Sequence, residues 1–257
     1  MVLIKHIGRY VLGTLETLGR LVIFFAKAIS HCLKPPHFYQ LILKQVIDIG
    51  YYSLPVVGLT TLFSGMVLAL QSFNGFTRFS SESAVATVVA LSITRELGPV
   101  LAGLMVTGRV GSSIAAELGS MKVSDQIDAL KILGTNPFDY LIAPRIIACI
   151  VCLPILVLIG DIIGVFGGFL VGVYKLNFNP STYLYQTVSY LEPMDIASGL
   201  IKASIFGFLL GIMGCFHGYN CSRGAQGVGL ATTNAVVSGC ILILIFNYLV
   251  TELFFSS

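Results

Sequence analysis

The stretch Ile146–Tyr174, IIACIVCLPILVLIGDIIGVFGGFLVGVY, holds a single charged side chain, Asp161, in an otherwise apolar run. A helix needs about 20 apolar residues to cross the hydrocarbon core of a bilayer, so this run reads as a membrane span. Four more runs of the same kind surround it: Val46–Phe73, Ala84–Thr107, Ile196–Tyr219 and Leu230–Phe255. Composition agrees, with 56% apolar and 11% charged residues and a mean hydropathy of +0.90, where soluble domains carry about 25% charged residues. So few polar side chains cannot coat a water-soluble globule. The expected fold class is therefore an all-α integral membrane protein with five transmembrane helices. A net charge of +3, mostly in a few segments, gives no reason to expect a nucleic-acid partner. Trp is absent, so an interfacial aromatic belt falls to Tyr and Phe.

Upstream of the spans, residues 1–36 form a separate unit. Basic and then apolar, the segment superficially resembles a signal peptide, but its charges are periodic. Lys5, Arg9, Glu16, Arg20, Lys27 and Lys34 are spaced 4, 7, 4, 7 and 7, which at about 100° per residue places them on one helical stripe. This pattern predicts an amphipathic helix lying in the membrane interface, stopped by Pro35 and Pro36, with its Leu, Val, Ile and Phe residues in the acyl region. Residues 37–257 then make up the five-span unit, with a polar stretch over about 109–145.

Basic residues set the orientation, because loops rich in Lys and Arg stay in the cytoplasm. With the amino terminus inside, eleven basic residues fall on inside segments and only Arg78 and Lys175 on outside loops. The amino terminus is expected in the cytoplasm and the carboxyl terminus outside it.

Gly164, Gly168 and Gly172 recur every fourth residue, as do the pairs Gly207 with Gly211 and Gly214 with Gly218. Small residues at that spacing let helices approach closely where lipid offers no hydrophobic driving force, so they mark packing faces. Cys149-x-x-Cys152 lies inside an apolar run with no second Cys or His pair nearby. It reads as helix packing, not as a metal or redox site. The charges buried in spans are more informative. Arg95 and Glu96, about halfway along the second run, together with Asp161 and Lys202, each cost roughly 2.5–3.5 kcal/mol near the bilayer centre. Two readings compete: an ion-pair network gluing helices together, or a cavity that holds a polar headgroup. Gly98-Pro99 just after the first pair favours an opened helix at that depth.

Between Arg109 and Arg145 the chain reads as short cytoplasmic helices. Ser124 is placed as an N-cap, Asp125 in the first turn, Lys131 in the last, Gly134 at the C-cap and Pro137 beyond it. Ile127, Leu130 and Leu133 share one side of that helix and are expected to meet the membrane or a partner. The chain lacks G-x-x-x-x-G-K-[ST], a nucleophile elbow and H-E-x-x-H, so neither ATP binding nor catalysis is expected of it.

The block RELGPVLAGLMVTGRVGSSIAAELGSMKVSDQIDALKILGTNPFDYLIAPR, Arg95–Arg145, resembles the MlaE (YrbE) family of ABC-transporter permeases. The similarity continues through Gly167–Val173, Leu200–Lys202 and Gly227–Val237. The resemblance implies a non-enzymatic, five-span permease of the bacterial inner membrane that forms a homodimer and moves phospholipid between the inner and outer membranes. It also implies partners: an ATPase subunit that binds ATP, an MCE-domain periplasmic lipid-binding protein and a small STAS-domain subunit. Carried over, Arg95, Glu96 and Lys202 fall on cavity-facing polar positions, with Leu68, Phe76 and Phe79 as the expected apolar wall. The segment Glu117–Ala129 falls on the family's ATPase-coupling helices, making Glu117, Met121, Asp125, Ile127, Asp128 and Leu130 the expected coupling residues. Two departures stand out: Phe79 replaces a Tyr of some relatives, and Asn247 an Asp of many. The alternative reading is an ion-coupled secondary transporter relaying protons through Asp161, Glu96 and Lys202, against which stands the lack of an inverted repeat.

Overall fold

The structure, a computed structural model, describes residues 2–33, 38–77 and 84–255, apart from the side chains of residues 2–11, 14 and 255. The Pro35–Pro36 stop, Lys34, Arg78 and Phe79 lie outside the described residues, as do the side chains of Lys5 and Arg9. Among the described residues eleven α-helices follow one another: α1 Val2–Leu33, α2 Tyr39–Gly50, α3 Leu54–Phe76, α4 Val85–Ser92, α5 Gly98–Val106, α6 Ser112–Val123, α7 Gln126–Ile132, α8 Ala143–Tyr174, α9 Pro180–Ser189, α10 Pro193–Tyr219 and α11 Ala225–Phe255. Eight of them, all but α1, α7 and α9, make up five helices long and apolar enough to cross a membrane, Tyr39–Phe76, Val85–Val123, Phe138–Tyr174, Pro193–Tyr219 and Ala225–Phe254. The chain is an all-α integral membrane protein.

The second and third of these helices are longer than their apolar runs. Residues 109–123 continue the second helix and residues 138–145 begin the third, so that only α7 stands alone between them. Ile114, Ala115 and Leu118 are buried, because Gly214 and Gly218 of α10 give their side chains room. Arg145, counted above among the loop charges, is itself buried. It donates to the Leu141 carbonyl at 2.8 Å and to Glu117 Oε2 at 3.0 Å.

Two interruptions of the helical ladder have one cause. The π-helical turns at residues 93–97 and 138–142 each end two residues before a proline, Pro99 and Pro144. A proline ring clashes with the carbonyl four residues back and supplies no N–H to it, so the ladder widens there.

The glycine repeats are packing faces. A methyl group at Gly65 of α3 would overlap the Gly164 carbonyl of α8, and Gly164 itself meets the Thr61 backbone. Gly207 and Gly211 of α10 lie against Cys149 of the third span. That contact buries Cys149, while Cys152 is buried with its thiol 3.5 Å from the Val46 carbonyl of α2, and both cysteines are free.

At the α6–α7 elbow the capping expectation is corrected. Ser124 closes α6 instead of opening α7, since both its N–H and its hydroxyl donate to the Ser120 carbonyl. Asp125 takes the N-cap place in a left-handed conformation (φ 57°) with no side-chain capping bond. The far end follows the sequence reading: Gly134 is left-handed (φ 77°). The N–H groups of Gly134 and Thr135 close the Lys131 and Leu130 carbonyls in a Schellman arrangement. Outside the spans, the loop after Tyr174 carries α9, opened by Asn179, whose side chain accepts from the Ser181 N–H. Tyr183 of α9 packs onto Gly168 and Gly172.

Candidate functional site

The π turn at 93–97 positions the site. Pro99 has no hydrogen to offer the Arg95 carbonyl, and the Lys202 ammonium of α10 takes that place, donating to it at 2.9 Å. The other two ammonium hydrogens go to Glu96 Oε1 at 2.7 Å and Thr251 Oγ1 at 2.7 Å. Glu96 is further held by Asn247 of α11, whose amide donates to Oε2 at 3.0 Å, and the Thr251 hydroxyl lies 2.9 Å from Oε1. One carboxylate thus ties the second, fourth and fifth spans together, and one cation compensates its charge inside the bilayer.

Arg95 belongs to a different pair. Its Nε and one terminal nitrogen each reach Asp195 Oδ1 at 2.6 Å. Asp195 sits in the first turn of α10, where its other oxygen accepts the Glu192 N–H and completes a capping box. Since α10 begins at Pro193, this pairing places Arg95 toward the Val85 end of its helix, beside the loop that precedes α10. The sequence reading put it halfway along, because it measured from an apolar run shorter than the helix. Gly199 makes the approach possible, as a methyl there would press on the Thr94 carbonyl of the π turn.

Exposure separates the roles. Lys202 is fully buried, whereas Glu96 keeps 36% and Arg95 35% of its side chain accessible. The expectation that Lys202 faces a headgroup is therefore corrected: each of its hydrogens is used inside the protein. Asp161 is buried, its Oδ1 has no hydrogen-bond partner, and it packs against Gly98. Among the described residues no hydrogen bond or ion pair joins it to Glu96 or Lys202, so the three-residue relay of the alternative reading is not assembled.

Of the apolar wall, Leu68 and Phe76 pack on the cluster of Ala69, Val85, Val89 and Ile93. Phe76 also lines an open, apolar cavity of about 400 Å³ with Gln71, Ser72, Gly75 and Val88. Sequence reasoning missed Asp195, Asn247 as a ligand of Glu96, and Thr251. The spacing of Asn247 and Thr251 by four on one helix face was the available signal, as was an acid in the first turn of a span.

The coupling residues scatter. Glu117 pairs with Arg145, Met121 and Leu130 lean on the main core, and Asp125 is exposed. Ile127, expected to meet a partner or the membrane, is fully buried, because the elbow folds α7 back onto the bundle. Asp128 accepts from Lys131 at 2.8 Å and from Lys122 at 3.1 Å. The bond from Lys131, then that from Lys122, holds its carboxyl below the ordinary range, and the same bond raises Lys131. A depressed acid stabilises the fold above its unfolded value of about 4 and loses that contribution as pH falls through the folded one. Amide protection across residues 124–133 is expected to drop on acidification below that range. An Asp128→Asn protein, measured by hydrogen exchange, should show no such step.

The family model described as Permease MlaE matches residues 42–253. A probable ABC transporter permease protein of Rickettsia bellii is 60% identical over 251 residues, 98% of this chain and 97% of that protein. The chloroplastic protein TRIGALACTOSYLDIACYLGLYCEROL 1 of Arabidopsis thaliana is 37% identical over 235 residues, 91% of this chain and 67% of that protein. The intermembrane phospholipid transport system permease protein MlaE of Haemophilus influenzae is 34% identical over 258 residues, 99% and 98% of the two chains. With the family match running through all five spans, and identity at these levels across nearly the whole sequence, the chain belongs to the MlaE family of permeases.

Proposed function

We propose that the chain is the membrane permease of an ABC transporter that moves phospholipid between the inner and outer membranes of a bacterium. Two copies enclose the lipid, and the site is completed by an ATPase subunit, a periplasmic MCE-domain protein and a STAS-domain subunit. The observation that carries this reading is the partly open Arg95–Glu96 pair, fixed at a π turn and compensated from behind by Asp195 and Lys202. A guanidinium held in place recognises a phosphodiester, and the apolar wall at Phe76 suits acyl chains. Little of the first and fifth spans is buried within one chain, and Phe63, Val67, Ile241 and Tyr248 stand exposed on them, which supports pairing with a second copy. The amino terminus lies in the cytoplasm, on the side of the basic segments. Reconstituted with its partners between donor and acceptor vesicles, the wild type should transfer labelled phospholipid with ATP. A Phe76→Asp variant should assemble and hydrolyse ATP, yet transfer at least tenfold less. Full transfer by that variant would remove the proposed cavity.

The ATPase is engaged by the outward side of the α6–α7 elbow, where Ser120, Asp125, Gln126 and Ala129 are exposed. Ala129→Arg should release the ATPase on copurification while leaving the melting temperature of the permease unchanged. Ile127→Asp should lower the melting temperature itself, because a carboxylate would enter a fully packed site. A stable Ile127→Asp protein would contradict the packing.

A further inference from the structure

At the end of the molecule away from the Arg95 site, a cavity of about 510 Å³ opens between α1, the segment after α7 and the last turn of α10. Lys27, His31, Lys131, Asn136, Phe138 and Tyr219 line it. We propose that this cavity holds the phosphodiester headgroup of an anionic phospholipid, a site separate from the transport cavity.

The lysines of the cavity carry more positive charge than the carboxylate that pairs with them. Lys27 makes no ion pair with any described residue. Lys131 shares Asp128 with Lys122, leaving one positive charge uncompensated in that trio, and its ammonium lies 5.8 Å from the Tyr219 ring centre. Asn136 Oδ1 is occupied by the Phe138 N–H at 3.0 Å, which fixes the amide so that its NH₂ faces the His31 ring at 3.5 Å. On the other side of that ring, Nδ1 lies 2.6 Å from Asp139 Oδ1, so the imidazole is oriented with Nε2 toward Asn136. The α7 carbonyls that would compete for the lysines are already closed by Gly134 and Thr135.

Surroundings decide between a lipid and a free anion. Leu33, two residues past His31, is 76% exposed, and Ile132 and Leu133, next to Lys131, are 87% and 77% exposed. Phe138 begins the helix of the third span and Tyr219 ends that of the fourth, and Lys27 and His31 belong to α1, whose charge pattern reads as a helix lying in the interface, so the proposal sets the cavity at the membrane surface. Cations at that depth beside exposed apolar side chains bind a headgroup with its acyl chains, and basic pockets between span ends are general sites for acidic lipids. The site also joins α1 to the segment that follows α7, two elements linked otherwise through the Phe24–Phe138 ring pair at 5.4 Å and the His31–Asp139 contact.

The test uses the intact complex released from nanodiscs containing equal parts phosphatidylglycerol and phosphatidylcholine, read by native mass spectrometry. The wild type should retain phosphatidylglycerol selectively. The Lys27→Gln/Lys131→Gln protein should bind it about 25-fold more weakly, since each interfacial lysine accounts for about a fivefold change. Lys44→Gln, an exposed lysine outside the cavity, should change nothing. Short-chain phosphatidylglycerol should raise the melting temperature of the wild type but not of the double variant. Unchanged retention in the double variant would overturn the proposal, as would equal retention of phosphatidylcholine. The same thermal shift from inorganic phosphate would make the site one for a soluble anion. Loss of the ATPase from the double variant with lipid retention intact would make it a partner cleft. None of these readouts requires transport, so they stand or fall apart from the transport reading.

Discussion

Lys202→Ala will lower the thermal stability of the permease more than any substitution at Arg95 or Glu96 that keeps the partner charges satisfied. The ammonium is fully buried and donates three hydrogen bonds, to Arg95 O, Glu96 Oε1 and Thr251 Oγ1. Its removal leaves a carboxylate at membrane depth without a cation, and a proline-orphaned carbonyl without a donor. Breaking a buried pair from one side costs about 3–5 kcal/mol. The value here belongs at about 3 kcal/mol, because Glu96 keeps 36% of its side chain exposed. The double replacement Lys202→Met/Glu96→Gln removes both charges and lets Asn247 and Thr251 bond the new amide. It should recover most of the lost melting temperature while remaining deficient in lipid transfer. If Lys202→Ala alone melted like the wild type and still transferred lipid, the network would be neither structural nor functional. If it melted normally but failed to transfer, Lys202 would act on the headgroup after all.

Gly65→Ala will open the crossing of the first and third spans. The added methyl would overlap the Gly164 carbonyl, and Gly164 lies against the Thr61 backbone in turn, so no flexible side chain can yield. Overpacking of this kind costs about 1–3 kcal/mol and more where backbone must move. In a membrane, close helix contact is itself the main source of association. A matched control is Gly19→Ala on α1, where a methyl meets nothing within 4 Å. Helix propensity there predicts no loss and up to about 1 kcal/mol of gain. Melting temperatures of the two variants in one lipid composition check the contrast. Equal stability would show that α3 and α8 do not cross as closely as described.

The membrane class and the five spans were legible from the sequence because hydropathy is a local property: each run of Val46–Phe73 or Ile146–Tyr174 states its own preference for lipid. The glycine spacing was legible for a similar reason, since a period of four reports one helix face whatever lies opposite. Motif order from Arg95 to Arg145 carried the family, which the match over residues 42–253 shows. Helix ends were less legible. Residues 109–123 are polar enough to read as a separate short helix, yet they continue the helix of the second span, because α10 offers glycines to Ile114 and Leu118.

What tertiary structure alone decided is which charge meets which. Arg95 and Glu96 are neighbours in sequence, but one pairs with Asp195 and the other with Lys202. The partners of Lys202 lie 106 residues before it and 49 after it. No spacing rule reaches across such separations. The outcome depends on the π turn that Pro99 forces, and on how closely Gly199 lets α10 approach it. Ile127 shows the same limit on a smaller scale: its helical period was readable, but the left-handed turn at Asp125 decided that the face it shares with Leu130 turns inward. Sequence fixes which side chains need an environment other than the one their segment supplies; only the packed helices determine who provides it.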